Sequence, residues 1–231
     1  MTQLTLPLTL PIIPFEGIDG CGKTTVIKRL QDDSNNGLFK ACFTREPGGS
    51  VVGEKIRSLL LQDLDTEDES PLTRLFLFMA SRSSNIDKVA QRALQEGKIV
   101  ISDRLDASTY AFQLWGGECR ELEKFFYQSR NVILSGFPIQ YIYLRITPEV
   151  AALRRAKRPE STQNFLDKLP IEFHQRVFEG YEEFFGRLQR QSTLVENPLH
   201  VVHVVDASVS EDEVYKQVKD IVLRAWGSQT P

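Results

Sequence analysis

The sequence predicts an α/β fold: a mostly parallel five-stranded sheet with helices on both faces. Three observations carry that expectation. Short apolar runs of strand character alternate with helical patterns along the whole chain, the order that parallel βαβ units require. The first run leads straight into Gly17-Ile18-Asp19-Gly20-Cys21-Gly22-Lys23-Thr24-Thr25, which fits G-x-x-x-x-G-K-[ST] without interruption. A loop of that kind, between a strand and a helix, surrounds a polyphosphate with inward-pointing backbone N–H groups. Finally, 231 residues with 41% hydrophobic and 26% charged content suit one sizeable core in a single domain, here residues 12–231.

Taken in order, Met1 to Pro11 reads as a flexible extension and Ile12-Ile13-Pro14-Phe15 as the first buried strand. The helix starting near Gly22 adds free N–H groups and the positive end of its dipole. Lys23 then reaches the β/γ-phosphates, and the Thr24 hydroxyl is a ligand for Mg²⁺. Lys40 to Thr44 reads as the second strand, ending in Arg45-Glu46-Pro47-Gly48-Gly49. Arg45 at that strand end either points across a crevice or is a solvated surface arginine. Ser50 to Gln62 is helical, Asp63 to Glu69 an acidic connector, and Pro71 to Gly97 a long helical pattern that is two helices or one that bends. On it Phe78 and Arg82 share a face. Spacing alone makes Phe78 a core residue and Arg82 exposed; the other reading stacks the ring on a base whose carbonyl accepts a hydrogen bond from the guanidinium.

Lys98 to Arg104 is a buried-strand run that ends in Asp103 and Arg104. In a phosphate-loop protein, an apolar strand ending in aspartate brings a second carboxylate to the metal site. Ser108, Thr109, Tyr110 and Gln113 follow on a helix beginning near Asp106. Tyr141 to Ile146 is the fourth strand, and Thr147-Pro148 caps a helix carrying Arg154, Arg155, Lys157 and Arg158. That helix is either a solvated basic face or the root of a mobile flap, over residues 154–168, that closes arginines on phosphate. Pro170 to Gln191 is an amphipathic packing helix, Val201 to Asp206 the fifth strand, and Ser210 to Trp226 the last helix.

The net charge of −3 calls for neither a nucleic-acid nor a membrane partner. No apolar run approaches the roughly 20 residues of a membrane span. Cys21, Cys42 and Cys119 lack metal spacing and cannot all pair, which suits a reducing, cytoplasmic setting. Cys21, at a helix N-terminus, is either a thiol of lowered pKa that ATP protects from alkylation or a small buried side chain.

Phe15 to Thr25, Thr44-Arg-Glu-Pro-Gly-Gly49 and Asp103-Arg-Leu-Asp-Ala-Ser-Thr-Tyr-Ala-Phe-Gln113 together resemble thymidylate kinases, over nearly the whole chain after Pro11. The resemblance implies the P-loop nucleoside monophosphate kinase fold and transfer of the γ-phosphate of ATP to dTMP, with Mg²⁺ held by Thr24 and Asp103. It places Gly17 to Thr25 on the ATP phosphates, with Asp19 near the acceptor's 3′-hydroxyl and phosphate. Arg45 and Arg104 grip that phosphate, Phe78 stacks on thymine and Arg82 bonds its O4. Ser108, Thr109 and Gln113 line the acceptor, and Phe112 sits against the deoxyribose. The basic helix resembles the lid of the bacterial form, which makes Arg154 and Arg158 the candidates for the transferring phosphoryl group.

A homodimer is also implied. The chain departs from the family pattern at Asn164-Phe165-Leu166-Asp167, where Asp-Arg-x-Glu is usual, at Phe178 in place of an arginine, and at Phe112 in place of a frequent tyrosine. The competing readings are a kinase of different or broader acceptor range and a nucleotide-binding homologue with impaired catalysis. A GTP-hydrolysing switch would need an Asn-Lys-x-Asp motif, and none is present.

Overall fold

The computed structural model describes residues 10–61, 70–157, 169–194 and 199–227. Five parallel strands, β1 (Ile12–Glu16), β2 (Ala41–Arg45), β3 (Ile99–Asp103), β4 (Ile139–Arg145) and β5 (His200–Asp206), form one sheet in the order β2-β3-β1-β4-β5. β1 lies at the centre with β3 on one side and β4 on the other. The chain therefore reverses its direction of winding at β1, and the crevice beyond the carboxyl ends of the strands there is where such sheets bind ligands. β1, β3 and β4 are almost wholly buried, as parallel strands covered on both faces must be. The register aligns Phe15 and Arg45 with Asp103, so the functional strand ends converge on one edge.

The helices are α1 (Lys23–Asn35), α2 (Val51–Leu61), α3 (Pro71–Asn85), α4 (Gln91–Gln95), α5 (Asp106–Thr109), α6 (Glu123–Leu134), α7 (Pro148–Ala156), α8 (Ile171–Ser192) and α9 (Glu211–Gly227). The long pattern after Pro71 is one continuous column in which a π-helical turn, Ile86–Ala90, joins α3 to α4. A second π-helical segment, Tyr110–Gly116, extends α5. It packs very closely on α8. A Cβ at Gly180 would lie 2.8 Å from Trp115 Cβ and 2.9 Å from Ala111 Cα.

Two features depart from the sequence reading. Leu10 and Pro11, assigned to the extension, are buried, and the Pro11 carbonyl accepts from Val100 N at 3.2 Å. The strand edge needs that acceptor, so ordered packing begins before Ile12. Helix α6 was not anticipated at all. Its buried stripe is Phe126, Arg130 and Leu134, and the arginine interrupts the apolar period by which a helix is read. Arg130 is tolerated there because its charge is paired with Asp106. Its Nε donates to Asp106 Oδ2 at 2.5 Å, and its Nη2 lies 3.2 Å from both Tyr141 Oη and His200 Nδ1. Asp106 also accepts from Tyr141 at 2.9 Å, which fixes the start of α5 against β4.

Candidate functional site

The phosphate loop leaves β1 through glycines that no other residue replaces cheaply. Gly17, Gly20 and Gly22 have φ of 138°, 100° and 96°, a region costly to residues bearing a Cβ. A Cβ at Gly17 would also stand 2.5 Å from the Leu144 carbonyl oxygen. Helix α1 starts at Lys23 with no side-chain cap on Gly22, so its first-turn N–H groups remain available to an anion. Thr24 and Thr25 are exposed beside them. Lys23 is buried, and its ammonium donates to Gly17 O at 2.7 Å. Cys21 is only 2% exposed, and its sulfur lies 3.5 Å from the Lys23 ammonium.

Asp103 ends β3 with its Oδ1 buried and, among the described residues, without a hydrogen-bond partner. A carboxylate oxygen in that state suits a cation or a metal-bound water. Arg104, next in sequence, has φ of 73°, a strained conformation for a residue with a side chain. Its Nη2 donates to Asp19 Oδ1 at 2.5 Å, and its Nη1 to Ser108 Oγ at 3.0 Å. Burial works against its charge, but the neighbouring Asp19 and Asp103 carboxylates outweigh that and hold its pKa above the usual arginine value. It is a permanent cation facing the phosphate loop.

Glu16, to which the sequence reading gave no separate role, is completely buried between the two loops. It accepts from Leu105 N at 2.7 Å and from Ser108 Oγ at 2.5 Å. Burial pushes its carboxyl up to about 7 from 4.5, although Ser108 and Arg104 pull the other way. An acid raised in the folded state binds its proton more tightly there than when unfolded, so folding loses stability as pH rises through that interval. The loss is roughly 3 kcal/mol. Relative to a Glu16→Gln variant, the wild-type chain is expected to lose that amount between pH 4.5 and about pH 8, read from urea midpoints. Parallel profiles for the two proteins would contradict it.

Arg45 ends β2, exposed, with Nη2 2.8 Å from Glu54 Oε2. Glu54 Oε1 also accepts from Gly49 N at 2.8 Å, which ties the Pro-Gly-Gly turn to α2. Arg57 joins this cluster by donating to Pro47 O at 2.8 Å. Burial and then Arg45 lower its pKa from the usual arginine value. Arg57 was missed, although Glu54 and Arg57 stand three residues apart on α2 directly after the turn, a spacing that puts both on one face.

Arg82 is not exposed, as spacing alone suggested, but 1% exposed. Its Nε donates to Glu46 Oε2 at 2.7 Å, and its Nη2 to Thr109 Oγ1 at 2.8 Å and Leu105 O at 3.0 Å. Burial raises the Glu46 pKa, and Arg82 restrains the rise. Phe78 is half-buried and lies outside the main core cluster, unlike its neighbour Leu75. Gln113 is half-buried and Phe112 buried. The Arg104 guanidinium carbon sits 5.0 Å from the centre of the Phe112 ring. Ser108 and Thr109 are buried with their hydroxyls bonded to Glu16 and Arg82, so they brace charged groups rather than standing open.

Of the basic helix, Arg154 is half-buried on α7. Arg155, not singled out by sequence, is buried and donates to Asp19 O at 2.8 Å. Arg158 and the segment Asn164 to Asp167 lie outside the described residues. One crevice thus gathers an anion cradle, a carboxylate oxygen suited to a cation, and arginines from two strand ends and three helices.

A family model described as thymidylate kinase matches residues 15–216. The thymidylate kinase of Mycoplasma capricolum is 35% identical over 213 residues, which is 91% of this chain and 93% of that protein. That of a Thermoanaerobacter species is 34% identical, over 92% of this chain and 97% of its own. The crystal structure of thymidylate kinase from Ehrlichia chaffeensis superposes with a TM-score of 0.65 at 25% identity, covering 92% of this chain and 97% of that one. With fold, crevice and sequence in agreement, the chain belongs to the thymidylate kinase family.

Proposed function

We propose that the chain transfers the γ-phosphoryl group of ATP to dTMP, giving dTDP and ADP for dTTP synthesis. The observation that carries this reading is the Arg104–Asp19 ion pair at 2.5 Å, which sets an acceptor-side cation directly against the donor phosphate loop. Phosphoryl transfer needs little covalent help. It needs two anions held in line while positive charge offsets their repulsion. The Gly17 to Thr25 backbone and Lys23 hold the donor phosphates, and Arg104, Arg45 and Arg57 hold the acceptor phosphate. Arg154 and Arg158 complete the cationic ring from the lid, with Arg155 fixed at its root. Thr24 and Asp103 would hold Mg²⁺, which neutralises phosphate charge when bound; the unpartnered Asp103 Oδ1 supports the fit.

Thymine is read by Arg82, with Phe78 on its face and Gln113 at its edge. Exposed Val52 and Leu59 on α2, Leu72 and Phe76 on α3 and Val132 on α6 support a homodimer through those helices. Three free thiols support a reducing, cytoplasmic compartment, and no described helix is long and apolar enough to cross a membrane.

The test is ADP release with ATP and Mg²⁺ over a panel of monophosphates. Thymine offers O4 where cytosine offers an amino group, so dCMP leaves a buried donor unpaired and is expected to react on the order of 10⁴-fold more slowly. Equal rates for dTMP and dCMP would replace this reading with a kinase of broad acceptor range.

A further inference from the structure

We infer that Tyr181 is a positioning residue for phosphoryl transfer: its hydroxyl orients the Arg104 guanidinium toward the acceptor phosphate without neutralising it. The inference rests on the reading of Arg104 as the acceptor-phosphate cation. Tyr181 belongs to α8, a packing helix with no chemistry assigned to it. Gly180, the residue before it, lets α8 approach Trp115 and Ala111 closely, and Tyr181 consequently reaches the space between the phosphate loop and the loop after β3. Its hydroxyl lies 2.8 Å from Ser108 Oγ, 3.1 Å from Arg104 Nη1, 3.2 Å from Glu16 Oε2 and 3.3 Å from Gly17 O.

Proton accounting gives the hydroxyl its task. With Glu16 ionised, Ser108 commits its proton to Glu16 at 2.5 Å. The tyrosine proton then goes to Ser108, Glu16 or Gly17, and a phenol lone pair accepts from Arg104. One side of the guanidinium is tied to a carboxylate, Asp19. The other is tied to neutral oxygens, Tyr181, Ser108 and the Gly17 carbonyl. A second carboxylate there would fix the same geometry but cancel the charge that the phosphate must meet. Burial and then Glu16 hold the Tyr181 pKa well above the usual phenol value, so the group stays a hydroxyl. The Phe112 ring covers a further side of Arg104 and meets Tyr181 edge-on at 6.3 Å. Such bracing is what the left-handed Arg104 backbone requires, since a strained residue persists only when its surroundings over-determine it.

Tyr181→Phe removes the oxygen and keeps the ring, which stacks on Tyr143 with centroids 5.5 Å apart. The test compares dTMP with thymidine, which lacks the phosphate, by calorimetric affinity, together with KM for both substrates and the thermal midpoint. The wild-type preference for dTMP over thymidine is expected to fall about tenfold, KM for dTMP to rise by a similar factor, and KM for ATP to hold. The midpoint is expected to move by no more than about 4 °C. A lowered midpoint with the dTMP preference intact, or an equal rise of both KM values, would overturn the inference. Arg104→Gln, which removes the charge, is measured in parallel and separates the two levels. If it keeps the full dTMP preference, the reading of Arg104 fails; if it loses the preference while Tyr181→Phe keeps it, only the role of Tyr181 fails.

Discussion

Replacing Lys23 by alanine is expected to lower kcat by about 10² to 10³ while the chain stays folded, the loss typical of removing one preorganised donor to developing charge. The ammonium in this structure rests on the loop's own carbonyls, donating to Gly17 O at 2.7 Å and Ile18 O at 3.4 Å. Those carbonyls are not orphaned when it goes. Gly17 O also accepts from Arg104 at 3.3 Å and from Tyr181 at 3.3 Å, and the left-handed glycines fix the loop's path independently of any side chain. The effect therefore falls on the transition state rather than on stability. Single-turnover rates at saturating ATP and dTMP, with a thermal melt alongside, measure both. A kcat within tenfold of wild type would mean that the backbone cradle and arginines suffice without Lys23.

The sequence made legible what is local. The strands were readable because buried parallel strands are continuous apolar runs, as Ile99 to Ile101 shows, and the phosphate loop because its mechanism demands glycines at fixed spacing. What failed was whatever depends on partners distant in sequence. Arg130 hid α6 because a buried arginine breaks the apolar period, and its acceptors, Asp106 and Tyr141, come from other elements. Arg82 was read as solvated on spacing alone because Glu46, 36 residues earlier, could not be seen beneath it. Glu16 sits inside the recognised motif, yet its job is to hold Leu105 and Ser108, more than eighty residues on. Tyr181 looked like one aromatic among several on a packing helix; only the closeness that Gly180 allows brings it to Arg104.

Arg82 and Glu46 form the pair in which stability and specificity separate most clearly. Their side chains are 1% and 3% exposed and 2.7 Å apart. Removing one member of such a pair strands the other as a buried charge, so Arg82→Met is expected to destabilise the fold by about 3 to 5 kcal/mol. In a chain of this size that lowers the thermal midpoint by roughly 6 to 20 °C. Adding Glu46→Gln removes the stranded carboxylate while keeping a group that can meet Asn85, which now donates to Glu46 Oε1 at 3.5 Å. The double variant should recover most of the lost stability, since replacing both partners of a buried ion pair is often close to neutral. It should not recover selectivity. On the proposed reading the donor to thymine O4 is still absent, and the preference for dTMP over dCMP is expected to remain reduced by about 10² or more. Thermal melts and paired kcat/KM values on both variants test the two halves at once. A double variant that regains wild-type discrimination along with its stability would reduce Arg82 to a structural cation and move the reading of thymine to Gln113 and Phe78.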